Sequence, residues 1–170
     1  MERGSIEEIV KALNGGGVRY LVAGGLAVVA HGYVRFTADL DIILDMDEAN
    51  LRRAARALSS LGYRPRAPVP LDAFADAKER ERWVAEKGLT VFSLWSPQHA
   101  ATEVDLFVRQ PFEDFDKAYA AASRFEIAPG VTMTVVGLDD LFRLKVEAGR
   151  PRDAEDIERL QRLNGNGDGD

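Results

Sequence analysis

The hydrophobic positions of the chain alternate between helical and strand spacing along most of its length. Apolar residues three or four positions apart predict helices, and short apolar runs bounded by glycine or turn residues predict strands. Helical spacing covers residues 6–13, 26–31, a segment capped by Asp45 or Asp47 and ending near 61, and then 71–86, 112–122, 138–148 and 154–163. The apolar runs cover residues 20–23, 40–44, 89–95, 102–108, 125–128 and 131–136.

This order of elements predicts an α/β or α+β fold, a mixed and twisted sheet with helices packed on it. No internal repeat and no long linker interrupts the chain, so a single domain is expected over residues 1–163. Its last part, about 138–163, is predicted to be a C-terminal helical segment. The glycine-rich stretch 164–170 is predicted to be a disordered tail.

Composition and charge narrow the class of protein. The chain has 170 residues, 46% of them hydrophobic, and no cysteine, which excludes disulfides and Cys-ligated metal sites. No apolar run is long enough to cross a membrane and the N-terminus is acidic, so a soluble cytoplasmic protein is expected. The net charge of −6 argues against long nucleic acid as an obligate partner. A nucleotide held through metal ions remains compatible with it.

Three carboxylates are the most informative side chains in the sequence. Asp39 and Asp41 stand two residues apart at the start of an apolar run, so both point from one face of the predicted strand. Asp105 alternates in the same way with Val104 and Leu106. If the two strands are neighbours, the carboxylates converge and can hold Mg²⁺, or Mn²⁺ as an alternative, for phosphoryl transfer. Taken alone, however, an Asp-x-Asp pair is more often a solvated strand end.

A glycine pair precedes these carboxylates. Gly24 and Gly25 follow a predicted strand and open a short helix, where backbone N–H groups can approach a phosphate closely. By itself such a pair is equally compatible with a tight turn. In the loop before Asp39, Arg35 is a candidate phosphate ligand and Thr37 a candidate for hydrogen bonding that supports the loop.

Together, Gly24-Gly25, Asp39-Leu40-Asp41 and Asp105 resemble, in order and spacing, the DNA polymerase beta-like nucleotidyltransferase superfamily. Segments 24–27, 31–33 and 35–41 look more specifically like small bacterial nucleotidyltransferases of the abortive-infection toxin type. Those proteins carry a Leu-x-x-hydrophobic-Lys helix followed by Asp-x-x-Asp, which 141–145 and 153–157 match, so that the resemblance covers roughly residues 20–163. Many members have serine where this chain has Gly25.

The resemblance implies that Lys145 contacts the phosphates of the nucleotide. From the sequence alone, Lys145 ends an apolar helical stripe and is equally compatible with a lysine at the edge of the core. Asp153 is a candidate for positioning Lys145 or Arg150, or a first-turn acid that suits a helix N-terminus. Trp83 and Trp95 are expected in the core rather than as base-stacking platforms.

The expected activity is transfer of a nucleoside monophosphate from a nucleoside triphosphate to a hydroxyl acceptor, with release of pyrophosphate. The acceptor is left open between a protein, a tRNA end and a small molecule. The resemblance further implies a toxin-like role in which a partner protein supplies or blocks the acceptor site. The alternative is a binding module on the same fold, an antitoxin or nucleotide sensor without turnover.

Overall fold

The computed structural model describes residues 1–165, which form seven helices and seven strands. The helices are α1 Arg3–Gly15, α2 Gly24–Ala30, α3 Glu48–Ser60, α4 Ala77–Lys87, α5 Phe115–Ala120, α6 Leu138–Ala148 and α7 Pro151–Gly165. The strands are β1 Tyr20–Ala23, β2 Asp39–Leu44, β3 Arg64–Pro65, β4 Val91–Trp95, β5 Glu103–Phe107, β6 Ser123–Ala128 and β7 Val131–Val135. Each run that was predicted as a strand contains one, which confirms the mixed helix-and-strand fold.

The strands form one mixed sheet in the order β3-β4-β5-β2-β1-β7-β6. Parallel pairing joins β2 to β5 and β1 to β7, and the remaining neighbours are antiparallel. The β6–β7 hairpin turns at Gly130, whose φ of 73° suits glycine. The sheet therefore brings β2 and β5 together, although 58 positions separate the end of β2 at Leu44 from the start of β5 at Glu103.

Buried residues alternate with less buried ones along the strands β2, β4 and β5. The apolar residues of β2, β4 and β5 are buried on one face: Leu40, Ile42, Phe92, Leu94, Val104 and Leu106. That face is covered by the 3-10 segment Leu71–Ala75 and by α4, whose Phe74 and Trp83 rings lie 5.2 and 5.0 Å from the ring of Phe92. The residues between them are half-buried or exposed and belong to the opposite face, which carries the polar side chains.

Several predicted boundaries were wrong: α1 begins at Arg3 rather than at 6, α5 covers Phe115–Ala120 rather than 112–122, and α7 begins at Pro151 rather than at 154. Segment 71–86 is not one helix, because the side chain of Asp76 accepts a hydrogen bond from the backbone N–H of Lys78 and begins α4 there, after the 3-10 segment. Residues 164 and 165, expected in the disordered tail, continue α7, and the rest of that predicted tail lies outside the described residues. Of the two predicted caps of α3, it is Asp47 that accepts from the backbone N–H of Asn50.

Within residues 1–165, no helix is both long and apolar enough to span a bilayer.

Candidate active site

The three predicted aspartates lie on neighbouring strands of the sheet. In the parallel β2–β5 pair, Asp41 is directly opposite Asp105 and Asp39 is opposite Glu103. On the other side of β5, Ser93 is opposite Asp105, and its Oγ donates a hydrogen bond to Asp105 Oδ1 at 2.6 Å. Directly opposed residues share a face of the sheet, so four carboxylates and one hydroxyl project from the same surface.

The negative charges of these carboxylates repel one another. Burial, followed by the negative charges of Asp105 and Asp39, raises the pKa of the Asp41 carboxyl to about 6, against an opposing effect of Arg150 and Lys145. Burial also raises the pKa of Asp105, although the hydrogen bond from Ser93 acts in the other direction. A group whose charged form is disfavoured in this way gains stability when a cation approaches.

Gly24 is required by its contact with Asp41. Its φ is +59°, a left-handed conformation that favours glycine. A Cβ placed there would overlap Oδ2 of Asp41, and it would lie 2.7 Å from the carboxyl carbon. The glycine therefore allows the turn from β1 into α2 to pass directly over the Asp41 carboxylate, which explains why this glycine precedes the Asp-x-Asp pair.

Gly25 faces a different side chain. A Cβ at Gly25 would overlap the hydroxyl of Thr37, would lie 2.7 Å from Thr37 Cβ, and would come within 3.1 Å of Arg35 Nη1. The Thr37 hydroxyl thus occupies the space that a serine side chain at position 25 would fill. Its contact with the Asp39 carbonyl oxygen, 3.5 Å, is at the outer limit of a hydrogen bond.

We expect Gly25→Ser to destabilise the protein by about 1–3 kcal/mol, because the new side chain overlaps Thr37 in a tightly packed turn. Adding Thr37→Gly removes both overlapping atoms, the hydroxyl oxygen and Cβ, so the double variant should recover part of the loss. Urea unfolding measures both changes. Gly15→Ser, at a position with nothing within 4 Å of an added Cβ, is the matched control and should stay near the wild-type value. Equal losses in the single and double variants would contradict the packing argument.

A buried ion cluster lies beside the carboxylates and joins α6, α7 and the loop before β2. Lys145, Asp153 and Asp156 are 4%, 2% and 1% exposed. The Lys145 ammonium lies 3.0 Å from Asp153 Oδ1 and 2.8 Å from Asp156 Oδ2. Arg35 donates from Nε and Nη2 to both oxygens of Asp156, at 2.7 and 2.8 Å, and Arg150 Nε donates to Asp153 Oδ2 at 2.8 Å.

The pKa values of the two acids follow from these partners. Burial by itself raises the pKa of Asp153, but hydrogen bonds from Arg150 and Lys145 outweigh it and bring the pKa down to about 2. Burial also opposes ionisation of Asp156, and hydrogen bonds from Arg35 and Lys145 again outweigh it and lower the pKa. Both acids are therefore ionised at neutral pH, and the cluster of three cations and two anions keeps one net positive charge.

This cluster includes three residues to which the sequence assigned candidate roles. Lys145 is not a lysine at the edge of the core, since it is buried between two carboxylates. Arg35 donates hydrogen bonds from two of its N–H groups to Asp156 and from a third to the Phe36 carbonyl oxygen. Its main contact in the structure is therefore with α7 rather than with solvent. Asp153 contacts both Lys145 and Arg150, the two residues it was expected to position.

Sequence reasoning missed four residues at this site. Asp156 was noted only as the second acid of the Asp-x-x-Asp segment, and it is the shared partner of Arg35 and Lys145. Ser93 and Glu103 carried no signal beyond strand alternation, which places them on the face of Asp105 once the register is known. Arg150 could have been found from its place between the two C-terminal motifs, where its positive charge acts on Asp41.

The aspartates are close in register but do not form a preassembled metal centre. Among residues 1–165, no group of three or more histidine, cysteine, aspartate or glutamate side chains has the arrangement of a metal-ligand cluster. An ion would therefore have to draw the carboxyl groups of Asp39, Asp41 and Asp105 together, and its positive charge would offset the repulsion among them.

Comparison with known proteins identifies the fold. No family model and no curated protein matches the sequence. Among solved structures, the lincosamide antibiotic adenylyltransferase LnuA with bound lincomycin is similar with a TM-score of 0.60 at 15% identity, covering 95% of this chain and 97% of that one. ANT(2″)-Ia in complex with adenylyl-2″-tobramycin has a TM-score of 0.55 at 14% identity, with 93% and 86% covered. A Thermotoga maritima protein described as a nucleotidyltransferase has a TM-score of 0.54 at 16% identity, with 94% and 92% covered.

The chain therefore has the nucleotidyltransferase fold, as the resemblance in its sequence implied. The likeness extends over nearly the whole chain. At 14–16% identity it defines the fold and leaves the reaction to be argued from the site.

Proposed function

We propose that this protein transfers a nucleoside monophosphate from a nucleoside triphosphate to a hydroxyl acceptor. The observation that carries the proposal is the register of the sheet, which sets Asp41 opposite Asp105 and Asp39 two residues away on the same face. A cationic cluster lies next to these acids, so one side of the site suits metal ions and the other suits phosphate oxygens.

The residues present fit Mg²⁺, with Mn²⁺ as an alternative. All the candidate ligands are carboxylate oxygens, from Asp39, Asp41 and Asp105, and hard oxygen ligands are what these ions prefer. The pKa of Asp41 is raised by burial and, in addition, by the negative charges of Asp105 and Asp39, which Arg150 and Lys145 only partly offset. When bound, the ions would neutralise charge on the triphosphate and lower the pKa of the attacking hydroxyl.

Other steps of the reaction depend on residues of the protein itself. The acceptor oxygen forms a bond to the α-phosphorus, the bond from that phosphorus to the bridging oxygen breaks, and pyrophosphate leaves. Asp105 accepts the proton of the acceptor hydroxyl, and its hydrogen bond from Ser93 fixes the orientation of the carboxylate. Gly24 allows the chain to pass close to Asp41, while the pair of Arg35 and Asp156 anchors the loop that leads into β2.

Arg150 is the residue of the cationic cluster best placed to contact the triphosphate. Its side chain is 71% exposed, whereas that of Lys145 is 5% exposed and lies between two acids. Lys145 then acts mainly by holding Asp153 and Asp156 in place and by adding positive charge near Asp41. This assignment refines the expectation from resemblance that Lys145 contacts the phosphates.

We expect Arg150→Ala to weaken binding of a magnesium–triphosphate complex about ten-fold, because it removes an exposed guanidinium beside the carboxylates. Isothermal titration with a nonhydrolysable ATP analogue measures the change. Arg152→Ala is the control, since Arg152 is an exposed arginine of the same helix start. If the two variants bound the analogue equally well, Arg150 would have no role in nucleotide binding.

The acceptor stays open between a protein, a tRNA end and a small molecule. The structures of LnuA with lincomycin and of ANT(2″)-Ia with an adenylylated tobramycin support the small-molecule option through their shared fold. A toxin-like role with a partner protein rests on the sequence resemblance to abortive-infection nucleotidyltransferases. Arrest of growth on expression without a neighbouring gene product would support that role, and normal growth would count against it.

A binding module without turnover is the alternative function. The burial of Lys145 between two acids favours it, because a lysine held in this way has little freedom to follow a reacting phosphate. Its signature would be metal-dependent triphosphate binding with no release of pyrophosphate in the presence of any acceptor.

The first test is titration of the protein with a nonhydrolysable ATP analogue, once with Mg²⁺ and once with EDTA. Binding that requires the ion supports the proposal and justifies a search for acceptors using labelled triphosphate. Absence of binding for every triphosphate in the presence of Mg²⁺ would contradict both the transferase and the nucleotide-sensor functions.

A further inference from the structure

A tryptophan that was expected in the core is partly exposed beside the candidate active site. Trp95 ends β4 and is 36% exposed, whereas Trp83 is 3% exposed and packs on Phe92. Ser93 is opposite Asp105, and Trp95, two residues further, has its side chain on the same face of the sheet. Continuing this register puts Trp95 beside Glu103, which is itself opposite Asp39. The backbone positions of Trp95 and Asp39 are thus two strand spacings, about 10 Å, apart.

Arg64 of the edge strand β3 and Arg66, which follows that strand, flank this indole. Arg64 is directly opposite Trp95 across the β3–β4 pair, and its guanidinium carbon lies 5.4 Å from the centre of the indole ring. The guanidinium carbon of Arg66 lies 6.0 Å from the same ring, and Arg66 also forms an ion pair with Glu103. No carboxylate within residues 1–165 pairs with Arg64. The surface formed by Arg64, Arg66 and Trp95, called here the Trp95 surface, therefore keeps an uncompensated positive charge.

The chemistry of this surface selects among acceptors. A half-exposed indole binds a planar ring by stacking, and an arginine beside it binds a phosphate. Arg64 disfavours a cationic group of an acceptor at its own position. A ligand that combines a planar base, a phosphate and a free hydroxyl satisfies all three features, including the nearby carboxylates that would activate the hydroxyl.

We propose that the Trp95 surface is the acceptor subsite and that it binds a nucleoside phosphate, with the base on Trp95 and the phosphate on Arg64. This deepens the proposed function and rests on it. The ribose hydroxyl of such an acceptor points along the row from Trp95 through Glu103 toward Asp39 and Asp105. The ligand is either a free mononucleotide or the terminal nucleotide of an RNA chain, which present the same base, ribose and phosphate.

The net charge of the protein limits how many nucleotides of a longer RNA can bind. With a net charge of −6, the protein repels an extended polyanion, and the Trp95 surface offers two guanidinium groups. Recognition should therefore involve one or two phosphates, and affinity should fall only weakly with salt concentration.

The test measures acceptor binding without catalysis, in EDTA and without triphosphate. A short, fluorescein-labelled single-stranded RNA with a free 3′-hydroxyl is followed by fluorescence anisotropy, and AMP is titrated calorimetrically. Trp95→Ala should weaken binding about 5- to 150-fold, as expected for loss of stacking on one base, and Trp95→Phe should retain much of it. Arg64→Glu should weaken it about ten-fold or more.

Arg56→Glu is the matched control, an exposed arginine on α3, which packs with α1 and the 3-10 segment on the opposite side of the sheet. Dependence on Trp95 and Arg64 with RNA supports an RNA end as the source, and the same dependence with AMP alone supports a free nucleotide. Wild-type affinity in Trp95→Ala and Arg64→Glu, equal loss in Arg56→Glu, or no binding of either probe would overturn the proposal. Because these assays contain neither Mg²⁺ nor triphosphate, such a failure leaves the test of the transferase function unaffected.

Discussion

Replacing Asp41 with asparagine is expected to reduce nucleotidyl transfer by at least about 10³-fold and to remove magnesium-dependent binding of triphosphate. Asp41 is opposite Asp105, is two residues from Asp39 and has its pKa raised to about 6 by burial and by those two charges. An amide keeps the shape of the carboxylate but removes the charge that a divalent ion needs. Titration with the ATP analogue and release of labelled pyrophosphate measure the two losses.

The same substitution should not weaken the fold. In metal-free buffer, removal of one of several repelling charges should leave the unfolding temperature equal to or higher than that of the wild type. Asp72→Asn is the control, because Asp72 is an exposed acid in the 3-10 segment on the other side of the sheet. A folded Asp41→Asn protein that transferred nucleotide at the wild-type rate would exclude the carboxylates of β2 from the mechanism.

Replacing Lys145 with methionine is expected to lower the free energy of unfolding by about 3–5 kcal/mol. Methionine has a similar length and no charge, so Asp153 and Asp156, each no more than 2% exposed, lose the cation between them. Removing one partner of a buried ion pair leaves an uncompensated charge in the interior, and that charge is the source of the large loss. Urea unfolding followed by circular dichroism measures it.

Lys78→Met is the control for this prediction, since Lys78 is exposed in the first turn of α4 and should change stability by about 0.5 kcal/mol or less. A loss below about 1 kcal/mol in Lys145→Met would mean that Arg35 and Arg150 alone compensate the two acids. Lys145 would then be free to contact the phosphates of the nucleotide directly, as the sequence resemblance implied.

These two expectations differ in how much of their basis was visible in the sequence. The alternation of Asp39 and Asp41 with buried apolar residues is a local property of one strand, and the pattern alone placed both acids on one face. The same holds for Asp105 in β5 and for the glycine pair before α2. Local spacing also defined most helices, although a cap at Asp76 divided one segment that periodicity had joined.

The buried ion cluster, in contrast, depended on contacts between distant parts of the chain. Arg35 and Asp156 are 121 positions apart, and each has an ordinary local explanation as a loop cation or a helix-terminal acid. Their pairing exists because α7 packs beside the loop that leads into β2. Burial there removes water from the charged groups, so each of them needs a partner of opposite charge in the protein.

The sequence by itself determined the class of fold and the strand faces that carry the three candidate aspartates, because helical spacing and strand alternation are properties of single elements. Only the tertiary structure decided that β5 lies beside β2, that Lys145 is enclosed by two acids, and that Trp95 stays half-exposed beside the two-residue strand β3. Strand order, burial and ion pairing are set by the packing of segments far apart in sequence, and local periodicity carries no information about which segments meet.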